Sequence, residues 1–406
     1  MRFKIALRNV LRNVWRTGLS VLMIAGAVTG IVMFRGFADN MLEMLRTTVT
    51  EGEFGHLQVA TRAHWNSEPV SREKLLIQDK EKILSILSNE DGIKNTSGRL
   101  TFYGLIGGED RTVGARGVGI DVQNEPGFLK NLSVDEGSLL TPNSSGEVLV
   151  GPGVQKKLQA KIGETITAVS YTVDGVVNAL DLKLMGVVRT GVSEIDNHVF
   201  YLPVKDAQAL LGTEAFENFT IRLNDFRIAD AVRDRVQAQI SSTTTTPYIV
   251  KTWYELAELY RKVESFYRVQ NNIVASILIS LILLGILNTI GMTVYERTGE
   301  IGTIRALGET RSSVIAQFTL EGAILGLFGA LLGCVTGAVL AKVVTALNIT
   351  VEIPGASSNL PISINLVPSA FIEGVIISVL AAVAATWIPA LRASKISIVE
   401  ALRKNI

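Results

Sequence analysis

Four stretches of this chain carry no charged residue for long enough to cross hydrocarbon, and no other feature restricts its fold so strongly. A helix rises about 1.5 Å per residue, so a hydrocarbon layer about 30 Å thick calls for roughly 20 apolar residues. The runs lie between Arg16 and Arg35, Arg268 and Glu296, Glu321 and Lys342, and Glu373 and Arg392. The first and fourth are slightly short, so local thinning or the snorkelling of Arg16, Arg35 and Arg392 covers their ends. The pattern predicts a membrane protein of four transmembrane α-helices, with a large α+β extracytoplasmic domain between the first and the second.

Basic residues in short flanks mark the cytoplasmic side. Arg2, Lys4, Arg8, Arg12 and Arg16 precede the first run, Arg297, Arg305 and Arg311 follow the second, and Arg392, Lys395, Arg403 and Lys404 follow the fourth. The short connection from Thr345 to Pro368 has no Lys or Arg. Both chain ends are therefore expected in the cytoplasm. The basic start is read as a retained interfacial helix rather than a cleaved signal peptide, since Lys4, Arg8, Arg12 and Arg16 recur every four residues while Leu7, Leu11 and Val14 take another face.

The predicted division is an interfacial helix over 1–16, a first span and its extension over 17–46, and an extracytoplasmic domain over 47–260. A second span with a stalk over 261–295, a charged helix over 296–312, a third span over 313–344, a loop over 345–368, a fourth span over 369–391 and a tail over 392–406 complete it. Within the domain, Arg99 to Ile106, Thr112 to Asp121, Glu147 to Gly151, Thr165 to Val173, Leu182 to Val188 and Asn197 to Val204 read as strands between Gly, Asp and Asn turns. Asp79 to Ser88, Val154 to Leu158, Val204 to Leu211 and Ala229 to Ile240 read as helices. Two lobes are expected, with a break near Pro142 to Gly146.

The formal net charge of +1 gives no reason to expect nucleic acid. Cys334 is the single cysteine and sits inside the third run as a packing residue, so the domain holds together without disulfides. No G-x-x-x-x-G-K-[ST] phosphate loop and no G-x-S-x-G elbow occurs, and His56, His64 and His198 show no metal-ligand spacing. The sequence points to no catalytic residue, no metal site and no cofactor held by this chain.

In the third span Gly322, Gly326, Gly329, Gly333 and Gly337 fall at three- and four-residue spacing, which permits close helix approach within one chain or between subunits. Glu321, at the end of that span, is read as an interfacial carboxylate paired with Arg297 or Arg311 rather than a proton carrier. Asn288, Thr289 and Thr293 in the second span either pack against neighbouring helices or line a wet cavity.

This order of elements, with ERTGEIGTIRALG from Glu296 to Gly308 after the second span, resembles the permease family that includes MacB, FtsX and the lipoprotein-releasing LolC and LolE. Further matching stretches are LRNVWRTGLSVLMIAGAVTGIVMFRGF at the first span, GHLQV at Gly55, GVGID at Gly117, GEVLVG at Gly146, KIGETI at Lys161, GVVRTG at Gly186, LEGAILGLFGALLG at Leu320 and PALRASKISIVEALR at Pro389. Each is weak singly, and together they cover nearly the whole chain.

The resemblance implies a non-catalytic, mechanotransmitting ABC transporter permease of the bacterial inner membrane, with its large domain periplasmic. Its partners would be a second permease copy or paralogue and a cytoplasmic ATPase dimer that binds ATP and Mg. Because Met1 leads directly into the basic helix, the ATPase is expected to be a separate chain. Glu296, Arg297, Glu300, Ile301, Ile304, Arg305, Ala306, Leu307 and Gly308 correspond to the coupling helix, with Ile301, Ile304 and Leu307 forming an apolar face. The cargo implied by LolC and LolE is a lipoprotein drawn from the membrane lipid, with Val28, Val32, Met33, Ile277, Leu281 and Leu284 as lining between the first two spans. The segment Ser170 to Leu184 is short and lacks prolines, unlike LolC's extended hook for a carrier chaperone. Two alternatives stay open: a MacB-like exporter with a periplasmic adaptor and outer-membrane channel, and an FtsX-like regulator of a periplasmic hydrolase.

Overall fold

A computed structural model describes residues 2–12, 14–66, 70–351 and 360–395. The predicted tail from 396 onward and residues 352–359 of the short outer loop lie outside the described residues. The chain forms two compact units, one of Met1–Glu43, Val263–Val351 and Pro361–Ile406, the other of Met44–Lys262 and Glu352–Leu360.

The first unit is helical. An N-terminal helix, Arg2–Arg12, precedes the first span, Val14–Thr47. The second span, Glu258–Glu296, is followed by a connecting helix, Thr298–Ala306, then by the third span, Arg311–Ala346, and the fourth, Pro368–Lys395. All four spans are long and apolar enough to cross a membrane. The charged helix expected over 296–312 is thus shorter, because Glu296 still belongs to the second span and Arg311 already opens the third. The N-terminal helix buries Ala6 and Val10 and packs Leu7 against the core. Val14 departs from the predicted face: it starts the next helix and is exposed, while the Leu11 side chain is outside the described set.

The third span holds the helical unit together through its glycines. A Cβ on Gly322 would collide with Thr386, and one on Gly326 would lie 2.9 Å from Ala382 Cβ, so this end is notched for the fourth span. Gly329, Gly333 and Gly337 are notched for the first span, where added Cβ atoms would meet Ile24 Cβ at 2.5 Å, Val28 Cβ at 2.7 Å and Val32 Cβ at 3.2 Å. All five glycines therefore pack inside the chain, with backbones close enough for dispersion contacts that lipid cannot replace. Thr29 adds a hydrogen bond to the Gly333 carbonyl at 3.1 Å.

The second unit is built on ten strands: β1 (Leu57–Thr61), β2 (Ile93–Gly107), β3 (Thr112–Ile120), β4 (Ser133–Gly137), β5 (Glu147–Val150), β6 (Thr165–Tyr171), β7 (Val177–Arg189), β8 (Val199–Pro203), β9 (Asn218–Leu223) and β10 (Tyr248–Thr252). The first part of β2, up to Arg99, pairs with β9, continuing the order β10-β1-β9-β2. Helices Lys80–Ser88 and Ala229–Thr243 cover this lobe, burying Ile83, Leu87, Val232 and Val236 against Val59 and Phe219. From Leu100 onward β2 pairs with β3 and then β6, and β2, β3, β8, β5, β7 and β6 close into a ring. Phe102, Val148, Ile166, Leu182 and Phe200 from the ring share a core with Leu210 of helix Val204–Leu211.

Two lobes exist, but the break expected near Pro142 to Gly146 is misplaced. That segment is the loop between β4 and β5, inside the second lobe, and the division falls at Arg99/Leu100 and again before β9. One continuous strand serves both lobes, so no run of turn residues marks the boundary.

Arg99 sits at this junction and is buried. Its Nε donates to both Glu125 oxygens at 2.9 and 3.0 Å, its Nη2 donates to the Gly52 carbonyl at 2.9 Å, and the guanidinium lies over the Phe128 ring. Ser97 Oγ donates to Glu125 at 2.6 Å. Removing one member of such a pair strands the other charge, at a cost of about 3–5 kcal/mol.

Two measurements check these assignments. Glu125→Ala is expected to lower the denaturation midpoint of the full chain sharply, and a midpoint equal to the parent's would contradict the buried pair. Gly329→Val adds side chain where Ile24 already sits and should cost about 1–3 kcal/mol, read as a loss of several degrees in detergent-solubilised protein; Gly18→Ala, with nothing within 4 Å of its Cβ, is the comparator expected to leave the melting temperature undiminished.

Candidate functional site

Charged side chains in the helical unit gather where the N-terminal helix, the end of the second span, the connecting helix and the start of the third span meet. Arg297 is the centre: its Nη1 donates to Glu321 at 3.1 and 3.3 Å, and its Nε donates to Glu300 at 2.9 Å. Asn9 Nδ2 donates to the same Glu321 carboxylate at 2.7 Å. Arg297 and Glu321 are both buried, and the guanidinium also lies 5.7 Å from the Phe318 ring centroid. Of the two partners expected for Glu321, the structure selects Arg297.

A more exposed ladder flanks this pair. Arg12 reaches Glu300 at 3.0 Å, and Arg16 grips Glu296 with two bonds of 2.7 and 2.8 Å. Arg12 and Arg16 are four apart, as are Glu296 and Glu300, and the higher-numbered Arg takes the lower-numbered Glu. The two helical segments therefore run antiparallel along the ladder. The Arg297 hydrogen bond, with help from Arg12, holds the Glu300 carboxyl below the usual carboxylate range against the opposing effect of burial. Its contribution to stability is complete above the ordinary Glu value of about 4.3 and fades as pH falls through the lower folded value. A cavity of about 60 Å³ lies among Asn9, Arg16, Thr293, Arg297 and Glu321, polar-walled and of a size for a water or two.

Beyond the ladder the connecting helix ends in a Schellman turn. Gly308, at φ 102°, supplies the left-handed residue, with Gly308 N–H donating to the Arg305 carbonyl and Glu309 N–H to that of Ile304. Thr310 then caps the third span by accepting from Ser313 N–H at 3.3 Å. This abrupt reversal leaves Thr303, Ile304, Ala306, Leu307 and Gly308 at the surface.

The predicted coupling residues thus divide into two sets. Glu296, Arg297 and Glu300 spend their charges inside the chain, whereas Ile304, Ala306, Leu307 and Gly308 form an exposed tip beside Arg305. The expected Ile301–Ile304–Leu307 face is corrected: Ile301 is only 6% exposed and joins the helical core, while Leu307 is 83% exposed. Leu307 follows the last helical residue, so an i, i+3, i+6 projection does not apply to it.

The expected cargo lining is also divided. Val28 and Val32 are buried against glycine notches of the third span, and Gly374 of the fourth also faces Val28. Ile277, Leu281 and Leu284 point outward from the second span, and Met33 is half-buried. The contact between these spans is made instead by Gly30 with Leu278, Met23 with Gly285 and Ser20 Oγ donating to Thr289 at 2.8 Å. The six residues therefore do not line one space. Thr289 and Thr293 bond back to their own helix, while Asn288 is exposed.

Asn9 and the Arg12/Arg16 pairing were not assigned from the sequence; the matched four-residue spacing of Arg12/Arg16 and Glu296/Glu300 is the signal that carries them. In the second unit, His56 Nδ1 accepts from Leu223 N–H at 2.9 Å, and burial pushes its imidazole pKa down, consistent with a neutral acceptor. Among the described residues, no group of three His, Cys, Asp or Glu side chains is placed to hold a metal ion.

Residues 272–398 match the family model for the FtsX-like permease C-terminal region, and residues 17–239 match that for the MacB-like periplasmic core domain. An ABC transporter permease of Methanocaldococcus jannaschii is 26% identical over 219 residues, covering 53% of each chain. The lipoprotein-releasing system transmembrane protein LolC of Neisseria meningitidis serogroup B is 24% identical over 354 residues, covering 82% of this chain and 80% of LolC. The chain thus spans about half of the archaeal relative and four-fifths of LolC. The extracellular domain of the ABC-type transporter YknZ from Gram-positive bacteria aligns with 48% of this chain and 99% of that domain, at 15% identity and a TM-score of 0.36.

Glu321→Ala, which leaves Arg297 buried without its carboxylate, is expected to cost about 3–5 kcal/mol, and Glu321→Gln, which still accepts from Asn9, less. Thermal unfolding of the solubilised full chain reads both, and equal melting temperatures for parent and Ala variant would remove the pair from the core.

Proposed function

The chain belongs to the family of FtsX-like permeases with a MacB-like periplasmic core domain, and from that premise we propose that it is the membrane subunit of an ATP-driven transporter that extracts lipoproteins from the bacterial inner membrane. It is a multi-pass membrane protein of a family without a catalytic domain. ATP and Mg are bound by a partner ATPase dimer, and the permease works as a pair, with a second copy or a paralogue. Both chain ends face the cytoplasm and the β-rich unit faces the periplasm. Basic flanks at Arg8, Arg12, Arg16, Arg297, Arg305, Arg311 and Arg392 support this orientation.

The observation that carries the proposal is the exposed tip at Ile304, Leu307 and Gly308, mounted on a connecting helix whose base is held by buried charge. An apolar pair on an otherwise polar reversal suits insertion into a cleft of the ATPase. The buried Arg297–Glu321 pair and the Arg16–Glu296 ladder make tip and spans move together. When the ATPase dimer closes on nucleotide, the two tips are drawn toward each other and the displacement passes along the spans. Nucleotide drives the change only to the extent that it binds the closed arrangement more tightly.

Lipoprotein cargo is supported by the long alignment with LolC. An acyl chain gains about 0.8 kcal/mol per buried CH₂, so leaving the bilayer requires both an apolar receptor surface and coupled ATP hydrolysis. A MacB-like exporter is the second reading, favoured by the match of residues 17–239 to the MacB-like core. Reconstitution with the cognate ATPase and a triacylated lipoprotein separates them: nucleotide-dependent release from the vesicle supports the first, and stimulation by soluble periplasmic peptides without release supports the second.

Leu307→Glu tests the tip. The side chain touches no core residue, so melting temperature should stay unchanged, while affinity for the ATPase falls at least tenfold and cargo-stimulated ATP turnover is lost, as expected for a central interface anchor. Wild-type turnover in this variant would remove the tip from the interface.

A further inference from the structure

Three exposed aromatic side chains set the depth of the bilayer surface. Trp15 is 93% exposed, Tyr295 64% and Trp387 51%, one each on the first, second and fourth spans. Contacts of their neighbours tie them to one level: Arg16 grips Glu296, Gly322 abuts Thr386, and Glu321, beside that glycine, holds Arg297. Outward rings with a polar tip gather where hydrocarbon gives way to headgroups. This level is therefore the bilayer surface on the side of the connecting helix.

The N-terminal helix is fastened at the same depth. Asn9 Nδ2 donates to Glu321, and Thr17 Oγ1 donates to the Val10 carbonyl at 2.6 Å, which folds this helix back against the start of the first span. Ala6 and Val10 are buried, so Arg8 and Arg12, about half a turn round the helix axis, face outward. Arg8 is exposed and makes no side-chain hydrogen bond or ion pair among the described residues. Arg12 has one 3.0 Å bond, to Glu300, in a pair whose side chains are 59% and 47% exposed, and Glu300 has Arg297 as a second partner. An ion pair so open to water contributes little, and Arg12 can be shared with another anion at small cost.

We propose that Arg8 and Arg12 hold the phosphate of an anionic phospholipid in the leaflet on that side. Residues four apart on one helix face are neighbours, and two guanidinium forks can grip one phosphodiester from adjacent sides. A zwitterionic headgroup brings its own ammonium, which the two arginines repel, whereas a phosphoglycerol headgroup brings none. Trp15, outward at the same depth, offers an amphipathic ring to the adjoining glycerol and upper acyl carbons. A soluble ATPase is the poorer occupant. Arg311, which follows the tip at Leu307, is about 15 Å along the third span from Glu321, so a partner seated on the tip stands off from the level of Arg8. The bound lipid leaves the tip free and pins the N-terminal end of the arginine ladder to the bilayer surface.

The test uses the full chain, with and without its ATPase, in phosphatidylcholine vesicles carrying a trace of photoreactive phosphatidylglycerol, with adducts mapped by mass spectrometry. Labelling is expected on the segment from Arg8 to Arg16, and unlabelled phosphatidylglycerol should compete for it well ahead of phosphatidylcholine. Arg8→Gln should raise the phosphatidylglycerol needed for half-maximal labelling about fivefold at an unchanged melting temperature, and Arg8→Lys, which keeps the charge, should recover most of that loss. Arg311→Gln removes the same charge away from the bilayer surface and should alter neither measurement. Labelling shared equally by the two lipids, or weakened as much by Arg311→Gln as by Arg8→Gln, would overturn the site. So would its suppression by the ATPase, which would give this face to that partner, or by soluble glycerol phosphate, which would make the ligand a free anion. Failure of the ATPase to bind would retire the transporter reading and leave the lipid measurement intact.

Discussion

Close backbone approach along the third span is the constraint on which the helical unit depends. Within a bilayer, water is not released when two helices meet, so association draws on dispersion and hydrogen bonds, both of which need short distances. Gly322 and Gly326 give that distance to the fourth span, and Gly329, Gly333 and Gly337 give it to the first. Because successive three- and four-residue steps do not close on a whole number of turns, the glycine line turns from one neighbour to the other along the helix. A single helix thereby locates two others, its glycines receiving Ile24, Val28 and Val32 of the first span.

Charge is handled differently at the end of this apolar stack. Arg297 and Glu321 are buried there, an arrangement tolerable because each has further partners: Glu300 and the Phe318 ring for the arginine, Asn9 for the carboxylate. The N-terminal helix is thus tied into the bundle through polar contacts as well as through Ala6 and Val10. The connecting helix inherits a fixed base and a free tip. That division sets Arg297, buried and held by Glu300 and Glu321, apart from the apolar Leu307, which points out.

Much of this was legible in the sequence. Charge-free runs place the four spans, glycine spacing marks the packing face, and turn residues delimit β3, β5, β6 and β8 closely. What stayed hidden is non-local. β1 is recognisable only from its neighbours, since Val59 lies between Phe219 and Val250, far along the chain. The lobe boundary falls inside β2, where periodicity is uninterrupted, and the Pro142 to Gly146 turn signal belongs to an ordinary loop. At the site, helical projection assigned Ile301 and Leu307 to one face, but the Schellman turn at Gly308 reorients the latter. Val28 and Val32 were expected as cargo lining because the hollows that receive them are glycines on another helix, which no local pattern reveals.

The strand ring of the second lobe has a consequence of its own. A sheet closed on itself has no lateral rim of unpaired amides along the closed strands, so foreign segments find no template there. The free margin falls to β4, five exposed residues joined to β7 and bearing Asp135 and Glu136. Glu136 and the ion pair of Asp135 with Arg189, at 2.6 Å, place charged groups at that margin and discourage another chain from extending the sheet. A lobe constructed this way offers side chains and loop surfaces, rather than open strands, along its closed ring.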